Sequence, residues 1–297
     1  MSISSEWLAT CGGCECSILD IGEPLLGLLK SVAFVHIPVL MDYKYFGQTG
    51  ERSELTLPEA DVGIVSGAVR NEENREILLE MRRRVKTLVA CGSCACYGGI
   101  PAIANMSGRD ELLEEVYFRD GNTMIPSERI PALEERVYSL DEIVKVDVFL
   151  PGCPPTPANL AEALLAIVGG KPIPKTSKSV CDTCHLTRER KEAKIMKRGL
   201  LLPAANEWSG KCLLEQGFLC LGPVTRAGCA SGTGGPQCLD AGYACRGCYG
   251  PVLEGSDQFV DMVNALATTG VDISTIDDPR GTFNQFTGSK TLTKRRK

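Results

Sequence analysis

Histidine is nearly absent from this chain: His36 and His185 are the only two. Sites built on several histidines are therefore excluded by count. No run of 18 apolar residues exists, so no membrane span is expected. The opening residues, MSISSEWLATCGGC, contain no basic region followed by an apolar one and no twin arginine. The expected location is the cytoplasm. There is no GxxxxGK phosphate loop and no supported Ser–His–Asp set, which leaves nucleotide hydrolysis and acyl transfer without residues to perform them. No repeat of 20–50 residues is found. A net charge of -5 gives no reason to expect nucleic-acid binding.

Cysteine, in contrast, is abundant. The chain has 15, and eight fall between Cys181 and Cys248: Cys181, Cys184, Cys212, Cys220, Cys229, Cys238, Cys245 and Cys248. That segment is rich in glycine and poor in long apolar runs, so it needs covalent or metallic support. In a reducing cytosol clustered thiols read as metal ligands or catalysts rather than disulfides. Eight thiols make two sets of four, the requirement of two iron–sulfur clusters.

The first 170 residues alternate between strand and helix patterns. Strands are expected at Ser2–Thr10, Ala33–Asp42, Asp61–Val69, Val85–Ala90 and Val144–Leu150. Several are nearly continuous apolar runs, as in strands buried on both faces. Helices are expected at Cys16–Lys30, broken or kinked at Pro24, at Asn71–Arg84 and at Ala158–Val168. Such alternation predicts an α/β fold with a doubly wound parallel sheet, which binds ligands beyond the carboxyl ends of its strands. Cys11, Cys14, Cys94 and Cys153 all follow such ends and can converge on one cluster if the strand order allows it. Ile103–Asp141 interrupts the pattern as a surface excursion with a helix at Asp110–Phe118. Gly169–Ser179 is the best boundary, dividing a domain at 1–170 from a mostly irregular one at 171–297 whose clearest helix is Asp257–Ala267. The terminal KTLTKRRK reads as a solvated basic tail.

The motifs CGGC at Cys11–Cys14, GSCACYGG at Gly92–Gly99, PGCPP at Pro151–Pro155, CDTC at Cys181–Cys184, CLGP at Cys220–Pro223 and CRGC at Cys245–Cys248 occur in this order. Together with Cys212, Cys229 and Cys238 they resemble the small subunit of Ni–Fe hydrogenases over nearly the whole chain. The resemblance is strongest to the cytoplasmic, coenzyme-F420-non-reducing (methyl-viologen-reducing) members of methanogens. It implies a flavodoxin-like first domain and a second domain stapled by clusters. It also implies three 4Fe–4S clusters: proximal on Cys11, Cys14, Cys94 and Cys153, medial on Cys229, Cys238, Cys245 and Cys248, and distal on Cys181, Cys184, Cys212 and Cys220. Periplasmic members carry a histidine where Cys181 stands and a proline where Cys238 stands, and their medial cluster has three irons. Cys238 therefore implies a fourth thiolate, and the chain of three four-iron clusters implies a low-potential acceptor. The Ni–Fe centre is expected on a large-subunit partner, because its paired CxxC motifs are absent here, and no catalytic residue is expected in this chain. The acceptor is expected to be a further iron–sulfur subunit feeding heterodisulfide reductase.

Alternatives stand beside this reading. One is the gamma subunit of a hydrogenase that reduces a deazaflavin coenzyme. A related quinone-module subunit of a respiratory complex shares the first domain. However, it has adjacent cysteines where Cys11 and Cys14 are spaced, and it lacks the later eight. A zinc-binding structural scaffold would use the CxxC pairs at Cys181–Cys184 and Cys245–Cys248. Glu15 is read either as a hydrogen-bonding or proton-handling carboxylate near the subunit interface, or as a first-turn glutamate favoured by the helix dipole. Cys16, Cys91 and Cys96 are expected as buried small residues, with Cys91 or Cys96 as the specific competitors of Cys94. His185 is a weak ligand candidate, His36 a satisfied core histidine, and Trp208 and Tyr243 packing residues.

Overall fold

The computed structural model describes residues 1–38, 40–41, 43–118, 130–189, 210–230 and 234–292. Five strands form a parallel sheet: β1 (Ser2–Trp7), β2 (Ala33–His36), β3 (Ala60–Ser66), β5 (Val85–Cys91) and β7 (Val148–Leu150). Their spatial order is β2-β1-β3-β5-β7. Renumbered among the parallel strands alone, this is the flavodoxin-like order. Side chains alternate as a sheet covered on both faces requires. Val62, Ile64 and Val89 pack with Ile18, Leu28, Leu160 and Leu164 on one side. Val65, Leu88 and Ala90 pack with Leu78 and Met81 on the other.

The helices begin where side chains can satisfy open amides. Asn71 Oδ1 accepts the Asn74 N–H at 2.8 Å and starts α3 (Glu72–Arg84). Thr156 Oγ1 accepts the Asn159 N–H at 3.3 Å and starts α6 (Pro157–Val168). The first helical stretch is two helices, α1 (Gly13–Leu19) and α2 (Glu23–Leu28). Pro24 falls in the first turn of α2, where its missing N–H costs nothing. α1 thus starts three residues earlier than its apolar pattern suggests and carries Cys14.

Four strands stop or start short of their expected bounds: β1 ends at Trp7, β3 at Ser66, β2 at His36, and β7 begins only at Val148. β2 stops at His36, just before Pro38, and the remainder of the expected strand includes Val39 and Asp42, outside the described residues. At the sheet's other edge, Asp147 Oδ2 takes the Leu88 N–H at 2.9 Å, so a side chain substitutes for ladder pairing before β7. The excursion contributes α5 (Arg109–Leu113), a π-helical turn at Glu114–Phe118 and β6 (Leu133–Tyr138). β6 pairs antiparallel with β4 (Val69–Asn71), a pairing that its polar sequence LEERVY does not advertise.

The cysteine-rich region has an apolar core of its own. Val180, Leu213, Leu221, Val224, Leu239, Met262, Leu266 and Phe283 enclose Cys220 and Cys245. The single-turn helix α7 (Gln237–Asp240) carries Cys238 and contributes Leu239 to that core. Much of the rest comes from α8 (Gln258–Ala267), opened by Asp257 Oδ1 accepting the Phe259 N–H at 2.8 Å, and from α9 (Pro279–Phe283). The sequence then returns to the first half of the chain. Arg136 donates to the Ser289 carbonyl at 2.5 Å, and Lys290 pairs with Asp141.

Leu78 is wholly buried between α3 and the sheet, whereas Leu165 on α6 is largely exposed. Leu78→Ala should cost about 2–5 kcal/mol in urea unfolding, and Leu165→Ala no more than about 0.5 kcal/mol. Equal effects would mean that the α3 face is not a core.

Candidate metal centres

The first thiol set is assembled at the carboxyl edge of the sheet. Three loops supply it, after β1, β5 and β7. Gly12, in the left-handed region, turns the chain into α1 and leaves Cys11 exposed and Cys14 buried. α4 (Gly92–Tyr97) follows β5 directly and carries Cys94. Gly92 has φ 85°, and a side chain there would collide with Cys14 Sγ. Cys153 leaves the β7 loop through a cis bond to Pro154.

Burial and neighbouring thiols raise Cys14, Cys94 and Cys153. Burial pushes Cys94 up to about 12, and Cys153, Cys14 and Cys11 raise it further. Burial pushes Cys153 up to about 11, with Cys11 and Cys14 adding to it. Cys14 is driven far above the ordinary thiol range, first by a hydrogen bond with Cys91 and then by burial.

The second set gathers in the cysteine-rich region. Burial pushes Cys181 up to about 12, reinforced by Cys220, Cys212 and Cys184. Burial pushes Cys220 up to about 11, while the amides of Gly222 and Cys245 pull it down. The third set lies between the other two. Burial pushes Cys248 up to about 12, and Cys238 and Cys229 raise it further. Cys245 is raised by burial, then by Cys220 and Cys248. Cys248 also feels Cys153, so the third set touches the first through Cys248 and the second through Cys245.

The donors suit thiolate-bound clusters. Each set receives main-chain N–H groups at sulfur, the usual means of holding cluster charge away from water. Leu186 N–H reaches Cys184 Sγ at 3.4 Å, and Cys245 N–H reaches Cys220 Sγ at 3.3 Å. The Ile100 amide lowers Cys94, and the Gln237 amide lowers Cys229. Gly222 lies so close to Cys181 Sγ that a Cβ would sit at 3.2 Å. Among the described residues no three Cys, His, Asp or Glu side chains close tightly enough to hold a single ion. All 15 cysteines are free thiols.

Several other residues behave differently from expectation. Cys91 and Cys96 are buried, and Cys96 Sγ donates to the Ala90 carbonyl at 3.4 Å. Cys16 is exposed, contrary to its expected burial, because α1 buries Cys14, Glu15, Ser17 and Ile18 and turns Cys16 outward. Tyr243 is also exposed rather than packed, and Trp208 lies outside the described residues. Glu15 is in the first turn of α1 and is buried. One oxygen accepts the Ser66 hydroxyl, the other has no partner, and its charge raises Cys14. His185 Nδ1 faces Asp240 at 3.2 Å. His36 is only half satisfied: Nε2 meets Glu6 Oε2 at 2.8 Å, and Nδ1 has no partner. Tyr45 donates to the same Glu6 oxygen at 2.8 Å. No local pattern marks Ser93, and the available signal for Glu6 is a carboxylate within the expected buried strand SISSEW.

Residues 11–167 match the family described as NADH ubiquinone oxidoreductase, 20 Kd subunit. The chain is 37% identical over 284 residues to a subunit of the F420-non-reducing hydrogenase of Methanocaldococcus jannaschii, covering 94% of this chain and 92% of that one. The chain belongs to the small-subunit family of Ni–Fe hydrogenases. The corresponding F420-non-reducing hydrogenase chain of Methanothermobacter marburgensis is 36% identical, covering 97% of this chain and 94% of that one. Among solved structures, a NAD+-reducing [NiFe]-hydrogenase in the H2-reduced state is 35% identical over 59% of this chain and 95% of that one, with a TM-score of 0.53. A hydrogenase small subunit is an iron–sulfur subunit within an oxidoreductase that acts on H2. No described helix is long and apolar enough to cross a membrane.

Burial raises the thiols of Cys94, Cys181 and Cys248, so iron held by these sulfurs would compete with protons for them. Cluster absorbance should therefore fall as the solution is acidified, with matching release of iron to a chromogenic chelator. Absorbance that stays flat through the acid range would contradict this competition.

Proposed function

We propose that this small subunit carries three 4Fe–4S clusters and relays electrons from H2 oxidation on the large subunit to a low-potential acceptor. The proximal set is Cys11, Cys14, Cys94 and Cys153. The medial set is Cys229, Cys238, Cys245 and Cys248. The distal set is Cys181, Cys184, Cys212 and Cys220. The observation that carries the reading is that the third thiol set adjoins both others: Ser93 bridges Gly152 to the Cys248 carbonyl, and the Cys245 N–H meets Cys220 Sγ at 3.3 Å. When bound, the clusters supply reversible one-electron storage. The chain's part is to hold them with thiolates, stabilise their charge with amides and shield them from water. Residues 1–170 form the domain for the proximal set, and 171–297 the domain for the other two. The Ni–Fe centre belongs to the partner, and Glu15 stands beside the proximal set as a charged neighbour of Cys14.

A zinc scaffold requires four ligands around one ion. Membership of the hydrogenase small-subunit family favours iron–sulfur clusters instead. For the acceptor, likeness to relatives named F420-non-reducing favours a further iron–sulfur subunit and heterodisulfide reductase over a deazaflavin-reducing flavoprotein. We place the complex in the cytoplasm.

Two measurements test this. Low-temperature EPR of the anaerobic complex, with iron quantified, should give about twelve irons in this chain and no oxidised three-iron signal. Cys238→Pro should create that signal, because it removes the fourth medial thiolate. A three-iron signal already present in carefully handled wild-type protein would put Cys238 outside the coordination sphere. Affinity purification under anaerobic conditions should recover an iron–sulfur acceptor subunit with the large subunit. Recovery of a deazaflavin-reducing flavoprotein instead would reverse the choice of acceptor.

A further inference from the structure

The thiol sets meet through main chain rather than across gaps. At one junction the Cys245 N–H points at Cys220 Sγ, 3.3 Å away. The Leu221 N–H returns to the Cys245 carbonyl at 2.9 Å, so the contact is closed from both sides. Cys245 and Cys220 belong to different sets. At the other junction the organising residue is Ser93, which is buried. Its N–H donates to the Gly152 carbonyl at 2.8 Å, and its Oγ accepts the Gly152 N–H at 3.1 Å. The same hydroxyl donates to the Cys248 carbonyl. Tyr249 reinforces the clasp, accepting the Thr156 N–H at 2.9 Å and donating to Asn159 Oδ1 at 2.9 Å. Cys153 and Cys248 are thereby held together, and the Cys153 amide pulls the Cys248 thiol down.

We infer that these two junctions, Cys153 with Cys248 and Cys245 with Cys220, are the electronic contacts between neighbouring cluster sites, and that Ser93 is the positioning residue of the first. The inference rests on the three-cluster reading. From Cys245 Sγ the path runs through Cβ, Cα and N, then across one hydrogen bond to Cys220 Sγ. Electrons couple more strongly through such bonded paths than across empty space. Each crossing moves one electron, with no bond made or broken and no proton transferred. H2 oxidised on the large subunit supplies the electrons, and the acceptor subunit removes them. The cysteines themselves cannot be varied without losing a ligand, but Ser93 can.

The test uses the anaerobic complex with Ser93→Ala and Ser93→Thr. Iron content and hydrogen–deuterium exchange at the partner's centre should match wild type in both. Freeze-quench EPR after H2 addition should show the medial and distal signals of Ser93→Ala lagging the proximal one severalfold longer than in wild type. The spin–spin splitting between reduced proximal and medial clusters should shrink as well. Ser93→Thr, which keeps the hydroxyl, should restore both. Unchanged lag and splitting in an iron-replete Ser93→Ala complex would overturn the first junction. If Ser93→Ala loses iron, Tyr249→Phe, which removes the Thr156 and Asn159 bonds, must show the same lag and splitting changes or the inference fails. For the second junction, ENDOR of D2O-exchanged wild type should find a deuteron coupled to the distal signal at the Cys245 amide, and its absence would overturn it. Fewer than three clusters in wild type would instead defeat the underlying proposal.

Discussion

Burying several clustered thiolates is the constraint on which the rest of this architecture depends. A cluster held by four thiolates is anionic, and an anion taken from water must find other donors. Arg188 beside Cys181 and Arg246 beside Cys238 supply some of this compensation, and main-chain amides supply more. Amides of Ile100, Gly222, Gln237, Cys245 and Gly247 each lower a thiol in one of the three sets. Main chain can approach sulfur only where side chains do not intervene, which explains Gly92 against Cys14 and Gly222 against Cys181. It also fits the turns and short single-turn helices that carry the described cysteines from Cys181 to Cys248. Regular helices and strands consume the N–H groups that the sulfurs require.

The parallel sheet solves a different part of the same problem. The ends of β1, β5 and β7 lie along one edge, separated only by β3. Residues distant in sequence thus arrive at one place without long connecting loops. The adjacent third set is then docked by Ser93 and Tyr249, and the chain's return through Ser289 and Lys290 ties the later core to the sheet.

How much of this the sequence discloses depends on the kind of interaction. Buried parallel strands announce themselves as apolar runs, so β5 is legible almost to the residue, whereas the run read as one strand to Val69 ends at Ser66, turns at Gly67 and re-enters as β4. Thiols in ordered motifs are equally plain. The strand order is not, because it depends on which edges meet in space. β6 is hidden because LEERVY reads as a solvated stretch, and only its pairing with β4 gives it a place. The Glu6–His36–Tyr45 group is hidden for a related reason. Its members lie in separate segments, and nothing local in the sequence brings a carboxylate, an imidazole and a phenol together. Cys16 was misjudged because cysteine is a commonly buried residue, whereas the phase of α1 decides its exposure.

Exposure along the thiol sets suits the relay proposed above. Cys11 and Cys153 are exposed at one end and Cys181 at the other, while Cys245 and Cys220, where the middle and distal sets touch, are buried. A wire must be insulated along its length and open at its terminals. At the sheet edge, exposed Trp7 lies just ahead of Cys11, with Leu40 and Met41 exposed beyond β2. Exposed apolar side chains are costly in water and favourable against another protein. The same covering would lower the dielectric around the proximal set and strengthen each amide–sulfur bond there. Docking of the large subunit would thus act on cluster potential as well as on assembly.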